Sequence, residues 1–314
     1  MKTDSPLVTV SILNYRRREA MVKTLESVRQ QSYCRREVVV VDNGSGDDIS
    51  AFLKANFPEA RLVELSGNPG CAGRNRGVEA ARGEMVVTVD NDLYFDSPFE
   101  LQKIMSAFDE SPEASCIAFK VIEAGSGQLH VRDWCHPRSY LEYADKEFET
   151  YFIPEGACAF RRKPFLESGG YYEPLWLGHE GWDLALRLLE RGGRIFYKPS
   201  IRIRHQISSE TRKSWRPYYY YTRNYIWIAS RNYPPGRMAL FLAEKIVMMA
   251  CFAARTGHLR AFARGIRDAL RGLPETWKTR KAISARTWRH LTNLTSERPG
   301  VFARLRRHRE RPLI

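Results

Sequence analysis

Two carboxylates one residue apart close a short apolar run: Met85 to Val89 leads into Asp90-Asn91-Asp92. Hard divalent cations take oxygen donors, and Mn2+ or Mg2+ is commonly held by one or two carboxylates plus substrate phosphates. Asp90 and Asp92 are therefore candidate metal ligands, although a lone Asp-x-Asp also suits an acidic turn that caps the next helix. Their place at the end of a strand favours the metal. Upstream, the glycine-rich stretch Gly67 to Gly77 can bring backbone N–H groups close to a diphosphate, with Arg74 and Arg76 adding charge. Its spacing is neither a Walker A loop nor G-x-G-x-x-G, and a bland loop with glycine turns reads the same way. Downstream, Glu180 and Asp183 stand three apart at the start of a leucine-rich helix, so they can share one face and either can act as general base. Acids at a helix start also simply complement the dipole. His205 follows the alternating run Ile201, Arg202, Ile203, Arg204 and is a candidate third metal ligand.

These residues need a frame that brings them to one edge. Val8 to Leu13 is a β-branched run, followed by helical spacing at Met21, Leu25 and Val28. Glu37 to Val41 reads as a strand buried on both faces and ends in the turn-rich loop Asp42-Asn43-Gly44-Ser45-Gly46. A helix begins near Ile49, a third strand spans Arg61 to Leu65, and Met85 to Val89 is a fourth. Strands alternating with helices imply a mostly parallel sheet with ligands at the carboxyl ends of its strands, so Asn14, Asp42, Gly70 and Asp90 fall along one edge. Further on, the patterns predict a helix at Leu101 to Phe108, a strand at Ser115 to Val121, an irregular stretch to Phe152 and a helix over Gly181 to Leu189. Short strands follow at Arg194 to Tyr197 and Ile201 to Ile203, and helices from Tyr218 onward. The compact domain is expected to end near residue 210.

Composition is globular, with 43% hydrophobic and 27% charged residues. The net charge of +14 is unevenly spread: residues 1–201 carry 25 Lys/Arg against 30 Asp/Glu, whereas residues 202–314 carry 25 against 6. Such an asymmetry suits a polyanion partner, nucleic acid or an anionic membrane surface. Six cysteines without C-x-x-C spacing point to free thiols in a reducing cytosol. No signal peptide or N-terminal anchor is expected. Glu244 and Lys245 interrupt the most apolar part of the tail, well short of the roughly 20 residues a spanning helix needs.

Taken together, the segments resemble family 2 glycosyltransferases of the GT-A fold, especially rhamnosyltransferase-like members, over about residues 7–232. Val8 to Tyr15 resembles the opening strand and Glu26 to Tyr33 the helix after it; Val39 to Asp47 is similar to the nucleotide-binding loop, with Asp42 in the base-contacting place. Asn68-Pro69-Gly70-Cys71-Ala72-Gly73-Arg74-Asn75-Arg76-Gly77 resembles the donor loop and Asp90-Asn91-Asp92 the metal-binding D-x-D. Gly156 to Arg162, Gly169-Gly170-Tyr171 and Asp183 to Leu188 resemble the acceptor half, followed by Pro199, His205 and Arg223-Asn224. The resemblance implies an α/β GT-A catalytic domain over residues 1–210, with a nucleotide-sugar half (1–95) and an acceptor half (96–210), followed by a basic helical extension over 211–314. It implies a nucleotide-diphosphate sugar as co-substrate, bound by Asn14, Tyr15, Asp42, Gly70, Gly73, Arg74, Asn75 and Asp90, and Mn2+ or Mg2+ on Asp90, Asp92 and His205. Many members carry Glu-Asp-x-Asp at the acceptor-side helix, and Gly181 stands in that motif here. The base is then Glu180 or Asp183, with Glu180 preferred because it opens the helix facing the strand ends. The implied chemistry is inverting transfer of the sugar to an acceptor hydroxyl on a glycan or lipid-linked sugar, in bacterial cell-surface polysaccharide or glycolipid assembly.

In the extension, Leu259, Phe262, Ala263, Ile266, Ala269 and Leu270 segregate from Arg260, Arg264, Arg267 and Arg271, an amphipathic helix. It either packs on the catalytic domain with a solvated arginine face or lies on the anionic inner leaflet, with Tyr218 to Tyr221, Tyr225 and Trp227 as an aromatic belt. The expected location is cytoplasmic, with peripheral attachment to that leaflet under the second reading. Trp176, Trp182 and Tyr172 are either walls for a sugar face or core. Two rivals stand beside the transferase: a nucleic-acid-binding protein using the tail, against which the acid-rich first half argues, and a degenerate sugar-binding homologue, motivated by Gly181.

Overall fold

The computed structural model describes residues 5–46, 48–206 and 214–295. Asp47 of the nucleotide-loop motif and both ends of the 211–314 extension lie outside them. In chain order the elements are β1 (Val8–Asn14), α1 (Arg18–Arg29), β2 (Arg36–Asp42), α2 (Ile49–Asn56), β3 (Ala60–Glu64), α3 (Ala72–Ala80), β4 (Met85–Asp90), β5 (Leu93–Phe95), α4 (Glu100–Glu110) and β6 (Ala114–Glu123). They continue with α5 (Tyr140–Tyr143), β7 (Phe148–Glu149), β8 (Ala157–Arg161), α6 (Arg162–Glu167), α7 (Glu180–Glu190), β9 (Arg194–His205), α8 (Arg216–Asn232), α9 (Pro235–Arg255), α10 (Leu259–Lys278) and α11 (Ala285–Leu294).

All nine strands form one sheet in the order β3-β2-β1-β4-β8-β6-β9-β5, with β7 paired to β9. β3, β2, β1, β4, β6 and β9 run one way; β8, β5 and β7 run against them. The fold is thus the expected α/β architecture with most strands parallel. β8 lies antiparallel between β4 and β6, where Val87 faces Ala159 and Ile117 faces the same residue from the other side. The two strands expected at Arg194 and Ile201 are one bulged strand, β9. Its register against β6 jumps from Phe119↔Lys198 to Lys120↔Arg202, and Pro199, which has no N–H to donate to a ladder, lies in the skipped segment.

Apolar side chains cover both faces of the sheet. On one face α1, α2 and α4 bury Met21, Leu25, Ile49, Leu53, Leu101, Ile104 and Phe108; each helix presents these at three- and four-residue spacing. On the other, α3, α6 and α7 bury Val78, Phe165, Leu184 and Leu188. That second core runs on without a break through Trp227, Met249, Phe252, Ala269 and Leu291. The change of charge near residue 210 is therefore a change of surface, while the core continues across it.

The amphipathic α10 turns part of its apolar stripe inward. Ala269 is fully buried, its carbonyl accepts from Trp227 Nε1 at 2.9 Å, and a Cβ on Gly265 would lie 2.7 Å from the Tyr219 carbonyl. Of the expected belt, Tyr218, Tyr225 and Trp227 are buried in the core rather than presented at a surface. Packing on the domain thus covers Ala269 and, in part, Phe262 and Ile266, because α8 offers a matching face, and leaves Leu259, Ala263 and Leu270 exposed. No helix among the described residues is long and apolar enough to cross a membrane.

Candidate active site

Parallel pairing sets the edge. Asn14 is level with Asp42 and Leu13 with Asp90, while β9 delivers His205 opposite Glu123 of β6 and Leu93 of β5. The first layer is a buried polar lattice. Asn14 Nδ2 donates to Asp42 Oδ1 at 2.8 Å, Asn91 Nδ2 donates to Asn14 Oδ1 at 2.8 Å, and Asp42 accepts from Ser45 N at 2.8 Å and from the Ser45 hydroxyl. Asn14 and Asp42 are at most 2% exposed, so their side chains shape the Asn43–Gly46 loop from beneath. Tyr15, next along the chain, is exposed. Asn91 pointing into this lattice leaves Asp90 and Asp92 to face elsewhere.

The glycine-rich loop closes against the segment that leads into α7. Gly70 has φ +64°, and a Cβ there would lie 2.2 Å from the Trp176 carbonyl, the same carbonyl that accepts from Cys71 N at 2.8 Å. A Cβ on Gly73 would meet Asn43 Oδ1 at 2.1 Å. Asn75 is buried and tied to Tyr171, donating to its carbonyl at 2.9 Å and accepting from its N–H at 2.8 Å. Gly70, Gly73 and Asn75 thus fix the loop, and Arg74 is the one that reaches the edge.

There Arg74 Nη2 donates to both oxygens of Asp90, at 2.6 and 2.9 Å, and Nη1 lies 3.6 Å from Glu180 Oε1. Glu180 is 2% exposed, and its Oε2 has no hydrogen-bond partner. Burial pushes its carboxyl above the usual range against the pull of Arg74. Beside it lies Glu155, from the loop before β8, which sequence reasoning missed. Its Oε1 accepts from Gly181 N at 2.8 Å, and burial together with the Glu180 charge raises its pKa to about 8 although Arg74 opposes the shift. A Cβ on Gly181 would fall 2.3 Å from the Ile153 carbonyl and 2.9 Å from Glu155 Oε1. Glycine at 181 is what this approach requires.

Asp183 is different. It is fully buried and accepts from Arg187 Nη2 at 2.6 Å, from Arg187 Nε at 3.0 Å, from Asn232 Nδ2 at 2.7 Å and from Arg231 Nη1. Burial alone would raise its pKa, but the two guanidiniums and Asn232 hold it below the usual range. With both oxygens taken by these partners, Asp183 ties α7 to α8, which argues against its candidate role as a base.

Asp92 pairs with Arg17, and its Oδ2 lies 3.8 Å from His205 Nε2. His205 Nδ1 is 2.8 Å from Asp133 Oδ2, and His130 Nδ1 is 2.7 Å from the same oxygen. Burial would lower the His205 pKa, yet Asp133 and Asp92 raise it to about 9. An imidazole and a carboxylate so placed, the carboxylate already facing the cationic Arg17, form a donor pair that fits a divalent cation. Asp90 is turned to Arg74, so the three expected ligands do not converge; among the described residues the closest donor trio is His130, Asp133 and His205. His130 and Asp133 sit in the stretch read as irregular, and their His-x-x-Asp spacing was the signal available.

Of the aromatic candidates, Trp182 is buried among Tyr151, Tyr225 and Phe241, and Tyr172 lies beneath Arg231, whose Cζ is 3.7 Å from the ring centroid. Only Trp176, half-buried and stacked on Tyr220, stands at the loop.

The family model described as Glycosyl transferase family 2 matches residues 9–169. A glucosyl-dolichyl phosphate glucuronosyltransferase of Haloferax volcanii is 23% identical over 256 residues, 75% of each chain. A pre-mycofactocin glycosyltransferase of Mycobacterium tuberculosis is 25% identical over 183 residues, 56% of this chain and 38% of its own. Among solved structures, a mannosyltransferase from Pyrobaculum calidifontis in complex with GDP-Man and Mn2+ superposes with a TM-score of 0.58 at 19% identity, covering 94% of this chain and 86% of its own. GalNAc-T7 with UDP, GalNAc and Mn2+ gives 0.62 at 14% identity; it covers 80% of this chain, which spans about half (52%) of GalNAc-T7. At these identities the structural likeness concerns the fold.

Proposed function

The chain belongs to glycosyl transferase family 2, and from that premise we propose that it is an inverting, metal-dependent glycosyltransferase moving a sugar from a nucleotide-diphosphate donor to an acceptor hydroxyl. The observation that carries this reading is the strand edge itself, where Asp92 lies 3.8 Å from His205 and Arg74 lies between Asp90 and the buried carboxylate of Glu180. Asp92 and His205 would hold Mn2+ or Mg2+, which supplies positive charge to the leaving diphosphate. Asp90 stays paired with Arg74, whose guanidinium is a second cationic group at the edge. The Asn43–Gly46 loop and the Gly67–Gly73 loop flank the nucleotide. The Mn2+ named in both structural neighbours, with UDP and GalNAc in one and GDP-Man in the other, supports this choice of ligands.

Glu180 takes the proton as the acceptor oxygen bonds to the anomeric carbon and the bond to the diphosphate breaks on the opposite face. Its Oε2 is buried without a hydrogen-bond partner, so an acceptor hydroxyl brought against it would satisfy that oxygen as well as give up its proton. A degenerate homologue is the rival reading, but Gly181 does not argue for it, since the approach of Ile153 and Glu155 accounts for that glycine.

The acceptor is proposed to be a lipid-linked sugar or glycan of surface polysaccharide or glycolipid assembly, met at an anionic leaflet. The observation favouring this is the outer face of α9 and α10, where Leu240, Val247, Leu259, Leu270 and Trp277 are 47–68% exposed among exposed Arg260, Arg264, Arg267 and Arg271. Sedimentation with anionic vesicles at low salt tests it, and a protein that stays in the supernatant refutes it.

The catalytic reading is tested by nucleoside diphosphate release from UDP-, GDP- and dTDP-sugars with Mn2+ or Mg2+, with lipid-linked acceptors supplied. Metal-dependent release that is lost in Asp92→Ala and Glu180→Gln is expected. A chain that turns over none of these donors overturns the proposal.

A further inference from the structure

The backbone of His205 is fixed from both sides. It pairs with Leu93 of β5 and Glu123 of β6, and its carbonyl accepts from Ala124 N at 3.1 Å. Only the two side-chain torsions remain to decide which ring nitrogen faces Asp92. A third element settles them. The chain leaves β6, bridges back on itself at Ile122↔Leu129, and bonds His130 N to the Val121 carbonyl at 2.9 Å. A short 3-10 turn, Val131–Asp133, then closes with Asp133 N on the His130 carbonyl at 3.0 Å. This fold-back brings the Asp133 carboxylate to His205 Nδ1 at 2.8 Å. His130, 2% exposed, stands edge-on to the His205 ring with centroids 4.9 Å apart and places its own Nδ1 2.7 Å from the same Asp133 oxygen.

We propose that Asp133 is a positioning residue for the metal site: it accepts the Nδ1 proton of His205 and so fixes the ring with Nε2 turned to Asp92, while His130 braces Asp133 from behind. The inference rests on the reading of Asp92 and His205 as metal ligands. A ligating imidazole whose second nitrogen donates to a carboxylate is locked in one tautomer and one orientation and becomes a better donor; loss of such a partner costs 10–100-fold in metal affinity. Asp133 never touches the metal or the substrate in this scheme. The geometry favours this role over that of a ligand. The 2.7–2.8 Å separations at Asp133 Oδ2 are hydrogen-bond or ion-pair distances, shorter than the ligand–ligand separations of about 3 Å expected around a cation with bonds near 2.1 Å.

The test is a titration of the full chain with Mn2+ alone, read by the electron paramagnetic resonance signal of the free ion. It compares wild type, Asp133→Asn, His130→Gln and His205→Ala, with melting temperatures of the metal-free proteins alongside. Asparagine keeps the shape of Asp133 and removes its charge. The expected result is a 10–100-fold weaker Mn2+ affinity in Asp133→Asn, a smaller loss in His130→Gln, and a melting temperature for both within a few degrees of wild type. Nitrogen-15 spectra of metal-free wild type add a reading that needs no variant to fold: His205 Nδ1 should carry a strongly hydrogen-bonded proton, and that signal should be lost in Asp133→Asn. If Asp133→Asn binds Mn2+ like wild type while His205→Ala does not, the positioning role is overturned and the metal site stands. If His205→Ala also binds like wild type, the metal assignment itself fails, and this inference falls with it.

Discussion

Replacing Asp183 by asparagine separates a structural carboxylate from a catalytic one. The native side chain is fully buried and accepts from Arg187 twice, from Asn232 and from Arg231. The guanidinium side chains are themselves only 15% and 10% exposed. Asparagine fills the same volume, so no cavity forms, but two buried cations lose their counter-charge. Removing one partner of such a buried network costs about 3–5 kcal/mol. At about 2–4 °C per kcal/mol for a domain near this size, the thermal midpoint should fall by roughly 10 °C. The sign with pH is fixed as well. A carboxylate held below its ordinary pKa contributes stability that is fully present above that ordinary value and is lost as pH falls through the native one. The gap between wild type and Asp183→Asn should therefore be constant from about pH 5 to 8 and close only below about pH 4. The assay is a thermal melt followed by circular dichroism across pH, with turnover measured well below the midpoint of the variant. An unchanged midpoint with turnover down by a hundredfold or more would refute the argument and return Asp183 to the chemistry.

Glu180→Gln should behave in the opposite way, with turnover reduced about 10²–10⁴-fold and a midpoint moved far less than in Asp183→Asn, since Arg74, 3.6 Å away, keeps its bidentate partner Asp90; steady-state rates beside a melt decide it. Gly70→Ala places a Cβ 2.2 Å from the Trp176 carbonyl at φ +64°, so it should cost at least about 1–2 kcal/mol and raise the donor KM more than it lowers kcat; an effect on neither would mean the loop does not close as described. Ala269→Asp buries a carboxylate against Trp227 and should lower the midpoint of the whole chain by several degrees, seen in a single tryptophan-fluorescence transition; a separate early transition would mean that α10 unfolds on its own.

Much of the first half of the molecule was legible from residues alone. Runs of β-branched residues at Val8 to Leu13, Val38 to Val41 and Met85 to Val89 mark strands buried on both faces, and strands alternating with helices imply parallel pairing. From that pairing it follows that Asn14, Asp42 and Asp90 reach one edge, as they do. Asp90-Asn91-Asp92, the glycine-rich stretch and the start of α7 stood out because each is a local pattern.

The partners of these residues were decided elsewhere. Asp183 reads like Glu180 in sequence, and only α8, arriving 48 residues later with Arg231, encloses it. Asp133 and His205 are 72 residues apart and meet because β9 inserts beside β6. Glu155 lies near Gly181 because the loop before β8 passes under the start of α7, and β8 itself runs antiparallel between β4 and β6. The amphipathic period of α10 predicts an apolar stripe but cannot say whether protein will cover it; α8 covers Ala269 and leaves Leu259 and Leu270 exposed. Periodicity and turn chemistry act over a few residues and so are readable in order along the chain. Charge compensation, burial and the choice between two similar acids depend on which distant segments the sheet order brings together.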